Sequence, residues 1–221
     1  MDKVTIDEGK LLKTTDAIKA TEFVVVKDHQ LVHSHGPEGE HSHSWVVPQS
    51  WLSPRIARKQ ATLCFDRLVE MYGASPKLDN GFAEVQKKFD ALEAASESIA
   101  KAHADLIVAS STPEVQYLTR EFGWTDRYLQ WTEPRDKAQA EKELAEMRAR
   151  VAKAGPAASQ SERLLLWSGR PMDGLSEFTG VQWKTSSVVD LIDTPLADEA
   201  DPEGYFKRMA DNLERIGDCL E

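Results

Sequence analysis

Apolar positions along the chain follow two different periods. Phe23-Val24-Val25-Val26 is a short β-branched run and reads as a strand. Ser53-Pro54 then offers a cap and a first-turn proline, whose missing N–H costs nothing at that position. Ile56, Leu63, Cys64, Leu68 and Met71 continue this helix on one apolar face until Gly73 ends it. Phe82, Val85, Phe89, Leu92 and Ile99 recur at helical spacing, which predicts a second helix over residues 80–103.

Beyond residue 104 the periods alternate. Residues 105–109 read as a buried-type strand, and Thr112-Pro113-Glu114 supplies a cap, a first-turn proline and an acid suited to a helix start. That helix runs to Gly123. A short strand follows over residues 128–131, then a charged helix over 135–153 that Gly155-Pro156 breaks. Residues 163–167 form a second buried-type strand, 171–178 a short helix, and 186–192 contain a further strand. Tyr205, Met209, Leu213, Ile216 and Leu220 make the apolar stripe of a last helix. Strand followed by helix, repeated, implies parallel pairing with helices packed on the sheet. The expected fold class is α/β.

Composition narrows the function classes. The chain has 221 residues, with 27 Lys and Arg against 37 Asp and Glu, so its formal net charge of -10 repels nucleic acid and anionic membrane surfaces. No stretch approaches the roughly 20 apolar residues of a membrane helix. Two cysteines, Cys64 and Cys219, exclude a disulfide scaffold or a Cys-based zinc site and read as small buried hydrophobes. Nucleotide-binding glycine loops, nucleophile elbows and the His-Glu-x-x-His zinc motif are all absent from the sequence.

Only one segment is chemically unusual. Residues 28–44 lack helical period and hold five of the six histidines, His29, His33, His35, His41 and His43, together with Glu38 and Glu40. Imidazole and carboxylate are preferred ligands of Zn²⁺ and related divalent ions. Gly36, Pro37 and Gly39 favour a turn that folds one His-x-His pair toward the other, so that four imidazoles can close a tetrahedral shell. A solvated His-rich linker is the plainer alternative. The sixth histidine, His103, follows the apolar stripe of the second helix and reads as a helix-end residue. Asp190 and Asp193 lie at the C-terminal end of a predicted strand, where open parallel sheets bind ligands and where turns also place aspartates. Most of the tryptophans read as core.

The His-rich run from His33 to His43, followed by Trp51-Leu52-Ser53-Pro54, resembles the middle of the zinc/manganese solute-binding proteins of ABC transporters. Thr112-Pro113-Glu114-Val115-Gln116-Tyr117-Leu118 with Phe122-Gly123 is similar to that family's ligand-bearing helix. Leu165-Leu166-Trp167-Ser168-Gly169-Arg170-Pro171 is similar to its Trp-Glu-x-x-Pro strand end, and Gly204-Tyr205-Phe206 with Met209 and Asn212 to its last helix. The resemblance covers nearly the whole chain. It implies a two-lobed fold with metal between the lobes, of which residues 1–52 are an N-terminal lobe remnant with the His-rich loop (28–44), 53–103 the connecting helices and 104–221 the α/β C-terminal lobe. Where the family pattern has ligands, this chain has Gln49, Thr112 and Ser168, and only the region of Asp190 and Asp193 still offers a carboxylate. The cleft site is therefore expected to be degenerate, with metal capture falling to the loop.

The resemblance thus implies a non-enzymatic protein that binds Zn²⁺, with Mn²⁺ as the other candidate, and passes it to the permease of an uptake system. It also implies a periplasmic or extracellular location. The first residues, MDKVTIDEGK, carry no export signal, so a chain complete as given is expected in the cytoplasm. Two rival expectations remain. One is a metal-independent interaction module built on the same fold. The other is a metal-dependent hydrolase using Glu38 or Glu40 as base.

Overall fold

Two Ser-Pro pairs set the long helices. In a computed structural model, residues 11–27, 44–104, 106–128, 145, 163–168, 185–192 and 204–221 are described. Helix α1 spans Pro54–Tyr72, and the Ser53 hydroxyl accepts from the Ile56 amide at 3.1 Å, as the cap reading requires. Gly73, at φ 81°, ends it in the left-handed region that glycine tolerates. Helix α2 spans Pro76–Ala102 and starts four residues before the expected residue 80. The same signal is responsible: Ser75 caps through the Leu78 amide at 3.3 Å, and Gly81 is carried inside the helix. Both helices are buried only at the ends away from their connecting turn, at Pro54, Ile56 and Ala57 in α1 and at Phe89, Leu92 and Ser96 in α2. Toward the turn the pair is held by stacked Phe65 and Phe82 rings with centroids 4.2 Å apart, while Leu68, Met71 and Tyr72 are exposed.

The main sheet is parallel throughout. Its strands are β3 (Ile107–Ser110), β4 (Thr125–Tyr128), β5 (Arg163–Ser168) and β6 (Thr185–Val189), in the order β4-β3-β5-β6. In central β5 the consecutive side chains Leu164, Leu165, Leu166 and Trp167 are all buried, which explains its unbroken apolar run. Helix α3 (Gln116–Glu121) follows a short 3₁₀ turn at Pro113–Val115. Helix α4 (Gly204–Leu220) buries Met209, Leu213, Ile216 and Leu220 and packs on β6 and α2. The α/β class is as read.

Three expectations need correction. The strand after Gly123 is Thr125–Tyr128, three residues earlier than expected, because this edge strand is polar and carries no apolar run. Residues 129–131 lie outside the described residues. Ser44 belongs to a strand, β2 (Ser44–Val46), which pairs antiparallel with β1 (Val25–Lys27). Cys64 and Cys219 are half-buried rather than buried. The helices expected over 135–153, apart from residue 145, and over 171–178 lie outside the described residues.

Candidate metal site

The β1–β2 ribbon frames the His-rich segment. Val24, Val26 and Val47 are buried on one face while Val25 and Val46 are exposed on the other, a period-two alternation. Its last pair, Lys27 opposite Ser44, brings the two ends of residues 28–43 together. His29, His33, His35, Glu38, Glu40, His41 and His43 lie outside the described residues, as does Asp193. At the other end of the ribbon the Val47 amide donates to the Val24 carbonyl at 2.9 Å, but the reciprocal rung is split by the Tyr117 hydroxyl. That hydroxyl accepts from the Val24 amide at 3.1 Å and donates to the Val47 carbonyl at 2.8 Å. Burial, the main cause, raises the phenol's pKa above its ordinary value, so the group stays a neutral donor.

A second tie runs from the 3₁₀ turn at Ser50–Leu52 to the far side of the sheet. Trp51 Nε1 donates to the Leu191 carbonyl at 3.1 Å, and the Tyr205 hydroxyl donates to the Trp51 carbonyl at 2.9 Å. These bonds set Gln49, just before the turn, beside the C-terminal edge of the sheet, where the Ser50–Leu52 and Pro113–Val115 turns pack together. Arg120 closes the seam by donating to the Phe23 carbonyl at 3.2 Å, and Arg55 pairs with Glu121 at 2.7 Å.

The sheet edge presents oxygen. Ser111 Oγ accepts from the Ser168 amide at 2.9 Å and lies 3.3 Å from Ser168 Oγ, which joins the ends of β3 and β5. Thr112 precedes the 3₁₀ turn in an extended conformation, yet its hydroxyl makes no capping bond. Thr112 Oγ1 and Glu114 Oε2 are both sealed from solvent and have no hydrogen-bond partner. Asp190, by contrast, is fully engaged. Arg208 grips both its oxygens at 2.5 Å, the Ile192 amide donates to Oδ1 at 2.9 Å, and Asn212 bonds its backbone on both sides at 2.8 Å. The Arg208 bonds are the main reason its carboxyl pKa falls below the ordinary value. Ile192, next in this turn, sits at φ 57°, a strained position for a β-branched residue that the Asp190 contact supports.

Sequence reading missed one further acid. Asp126 of β4 is half-buried against α3 and accepts from Ser110 Oγ at 2.8 and 3.0 Å and from Thr119 Oγ1 at 3.1 Å. Burial outweighs these bonds and raises its pKa to about 6. His103 ends α2, where its carbonyl accepts from Trp124 Nε1 at 2.7 Å, so its structural reading holds. A cavity of about 270 Å³ lies in the seam between Glu22, Ser53, Arg55, Lys59, Arg120 and Glu121, and none of these is an expected ligand. Among the described residues no three His, Cys, Asp or Glu side chains come together as a metal cluster. No described helix is long and apolar enough to cross a membrane.

A family model described as zinc-uptake complex component A, periplasmic, matches residues 3–219. The fold is similar to that of the SBP FpvC from P. aeruginosa in complex with Ni²⁺, at 20% identity and TM-score 0.56, covering 79% of this chain and 62% of that one. It is similar to the metal-dependent lipoprotein YcdH from Bacillus subtilis, at 17% identity and TM-score 0.58, covering 79% and 64%. It is also similar to the Zn(II)-bound ZnuA-like domain of Streptococcus pneumoniae AdcA, at 18% identity and TM-score 0.55, covering 78% and 63%. The chain thus spans under two thirds of the length of these three structures. A search of curated sequences finds no match.

Proposed function

The chain belongs to the periplasmic zinc-uptake complex component A family, and from that premise we propose that it is a divalent-metal solute-binding component of an ABC uptake system. The cargo is Zn²⁺, with Mn²⁺ as the other candidate, and it is passed to a permease with no bond chemistry. Capture falls to His29, His33, His35, His41 and His43, with Glu38 and Glu40 adding attraction for a dication. The working division is a remnant over residues 1–52, connecting helices over 53–103 and an α/β lobe over 104–221. The protein would act on the periplasmic or extracellular side of the membrane.

One observation supports the loop assignment above the others. Lys27 pairs with Ser44, so the chain between them starts and ends at one anchored point, and closing the loop costs less entropy than ordering a free tail. At the sheet edge Asp190 and Asp193 remain the proposed carboxylate donors, although Asp190 must exchange Arg208 for the cation to act as one. The altered positions Gln49, Thr112 and Ser168 leave the edge without imidazole, which is why the loop carries the proposal.

Isothermal titration with Zn²⁺ tests it on the wild type and on a variant with His33, His35, His41 and His43 changed to Ala. The expected result is at least a tenfold loss of affinity in the variant, since about 1.4 kcal/mol separates each decade and four imidazoles are removed. Equal affinities would sink the loop assignment.

A further inference from the structure

We propose that the far half of the α1–α2 hairpin is a self-association surface, on which a second copy of this chain lays its own hairpin antiparallel to complete a four-helix bundle. The association is independent of metal binding.

The hairpin carries a bundle repeat in its sequence. In α2, Leu78, Phe82, Val85, Phe89 and Leu92 stand alternately four and three residues apart, and in α1 Ala61, Cys64, Leu68 and Met71 stand three, four and three apart. An average of 3.5 residues is the period of helices packed along helices, and it calls for partners over the whole seam. The fold supplies them at one end only. Phe89 meets Phe206 of α4 edge-on with ring centroids 5.0 Å apart, and the start of α1 packs on α3 and the Ser50–Leu52 turn. The turn Thr14–Ala17 meets α1 at Gln60, whose side-chain amide donates to Thr14 Oγ1 at 3.3 Å. Between Ala57 and Phe89 none of the described residues is buried. The apolar seam continues there regardless: Leu68 is 42%, Met71 57% and Tyr72 73% exposed, beside half-buried Cys64, Phe65 and Val85.

A second hairpin is the occupant that fits. Two helices with matching seams are half of a four-helix bundle, and a two-fold axis over this face brings the other half from an identical chain. Charge permits it. Residues 61–87 hold three Lys and Arg against four Asp and Glu, a net charge of -1 in a chain of -10. Arg67 with Glu70 and Lys87 with Glu84 pair within their own helices at 2.7 Å, so little unpaired like charge meets across the axis. Size permits it too. About twelve uncovered residues of α1 run about 18 Å, and two helices side by side are about 20 Å wide. Two corrugated faces of that footprint bury about 1,000 Å², the lower limit for a specific interface, so association in roughly the micromolar range is expected.

Sedimentation velocity of the full chain from about 1 to 100 µM tests the proposal. EDTA and a reductant are present, so that neither metal shared between His-rich loops nor a disulfide can bridge copies. The mass of the wild type is expected to rise with concentration from one chain toward two. Leu68→Glu combined with Met71→Glu is expected to weaken the association at least tenfold, with an unchanged thermal transition at dilution because both residues are exposed. Val25→Glu, an equally exposed apolar position on the ribbon, is expected to leave it intact. Hydrogen exchange of the wild type locates the interface without any variant: amides of residues 61–86 are expected to slow as concentration rises. A wild type that stays monomeric at 100 µM overturns the proposal. So does a dimer that survives the paired substitution, one lost in Val25→Glu, or one that leaves exchange in residues 61–86 unchanged.

Discussion

Tyr117→Ala is expected to destabilise the protein by about 3–5 kcal/mol, the range for deleting a buried aromatic side chain. Tyr117→Phe, which removes only the hydroxyl, is expected to cost about 2 kcal/mol. The ring is fully buried, and its oxygen is inserted into the last rung of the ribbon between the Val24 amide and the Val47 carbonyl. Without that oxygen both backbone groups lose a partner in a site with no access to water. In a domain of this size each kcal/mol moves the midpoint by about 2–4 °C, so Phe should lower Tm by roughly 4–8 °C. Calorimetry of both variants checks the numbers. An unchanged midpoint for Phe would mean that the ribbon closes its own rung, and the hydroxyl would then be a guest and not a fastener. The consequence reaches the proposed loop, because the ribbon that Tyr117 fastens is the one whose other end anchors residues 28–43.

The elements that could be read from sequence are those whose surroundings are uniform. Leu164, Leu165, Leu166 and Trp167 are buried on both faces of a central strand, so a plain apolar run is the whole signal. Helix α4 faces the core on one stripe, and Met209, Leu213, Ile216 and Leu220 announce it. Strand β4 failed for the opposite reason. Thr125-Asp126-Arg127-Tyr128 has no apolar alternation, and its inward-facing position is an acid satisfied by hydroxyls from β3 and α3. Strand β2 is three residues long, too short for any period to register.

The site divides along the same line. The His-rich segment stands out because its chemistry lies in consecutive residues. The ties that frame it join residues far apart in sequence, Tyr117 with Val24 and Val47 across 93 and 70 positions, and Trp51 with Leu191 across 140. Asp190 reads as a free carboxylate until α4 brings Arg208 to it. Glu114 reads as an acid placed for the helix dipole, and Thr112 as its cap. That interpretation is sound local chemistry, and it fails only because the Thr112 hydroxyl leaves the capping position. Departures from local rules of this kind are where function is worth seeking.

Asp126→Asn is expected to raise stability at pH 7 by up to about 3 kcal/mol and to flatten its dependence on pH. The pKa of Asp126 is about 6 in the folded protein against an ordinary 3.8, and a shift of that size corresponds to roughly 3 kcal/mol. Between about pH 4 and 6 the folded state binds a proton that the unfolded state has released. Stability therefore falls as pH rises through that window and stays lower above it. The Ser110 and Thr119 hydroxyls and then the Arg120 charge draw the pKa down, and together they offset only part of the cost of burial. The asparagine amide oxygen, placed where Oδ2 now lies, can accept from both hydroxyls, and the side chain has no charge to bury. Urea unfolding at pH 4.5 and at pH 7 measures the effect, with wild type and variant expected to differ more at pH 7. A variant less stable than wild type at pH 7 would mean that the two hydroxyls favour the carboxylate more than burial opposes it. Because Thr119 lies in α3 two residues from Tyr117, the same helix is held by a phenol on the ribbon side and by this acid on the sheet side. Relieving the acid should therefore partly restore the midpoint lost by Tyr117→Phe, and the double variant measures by how much.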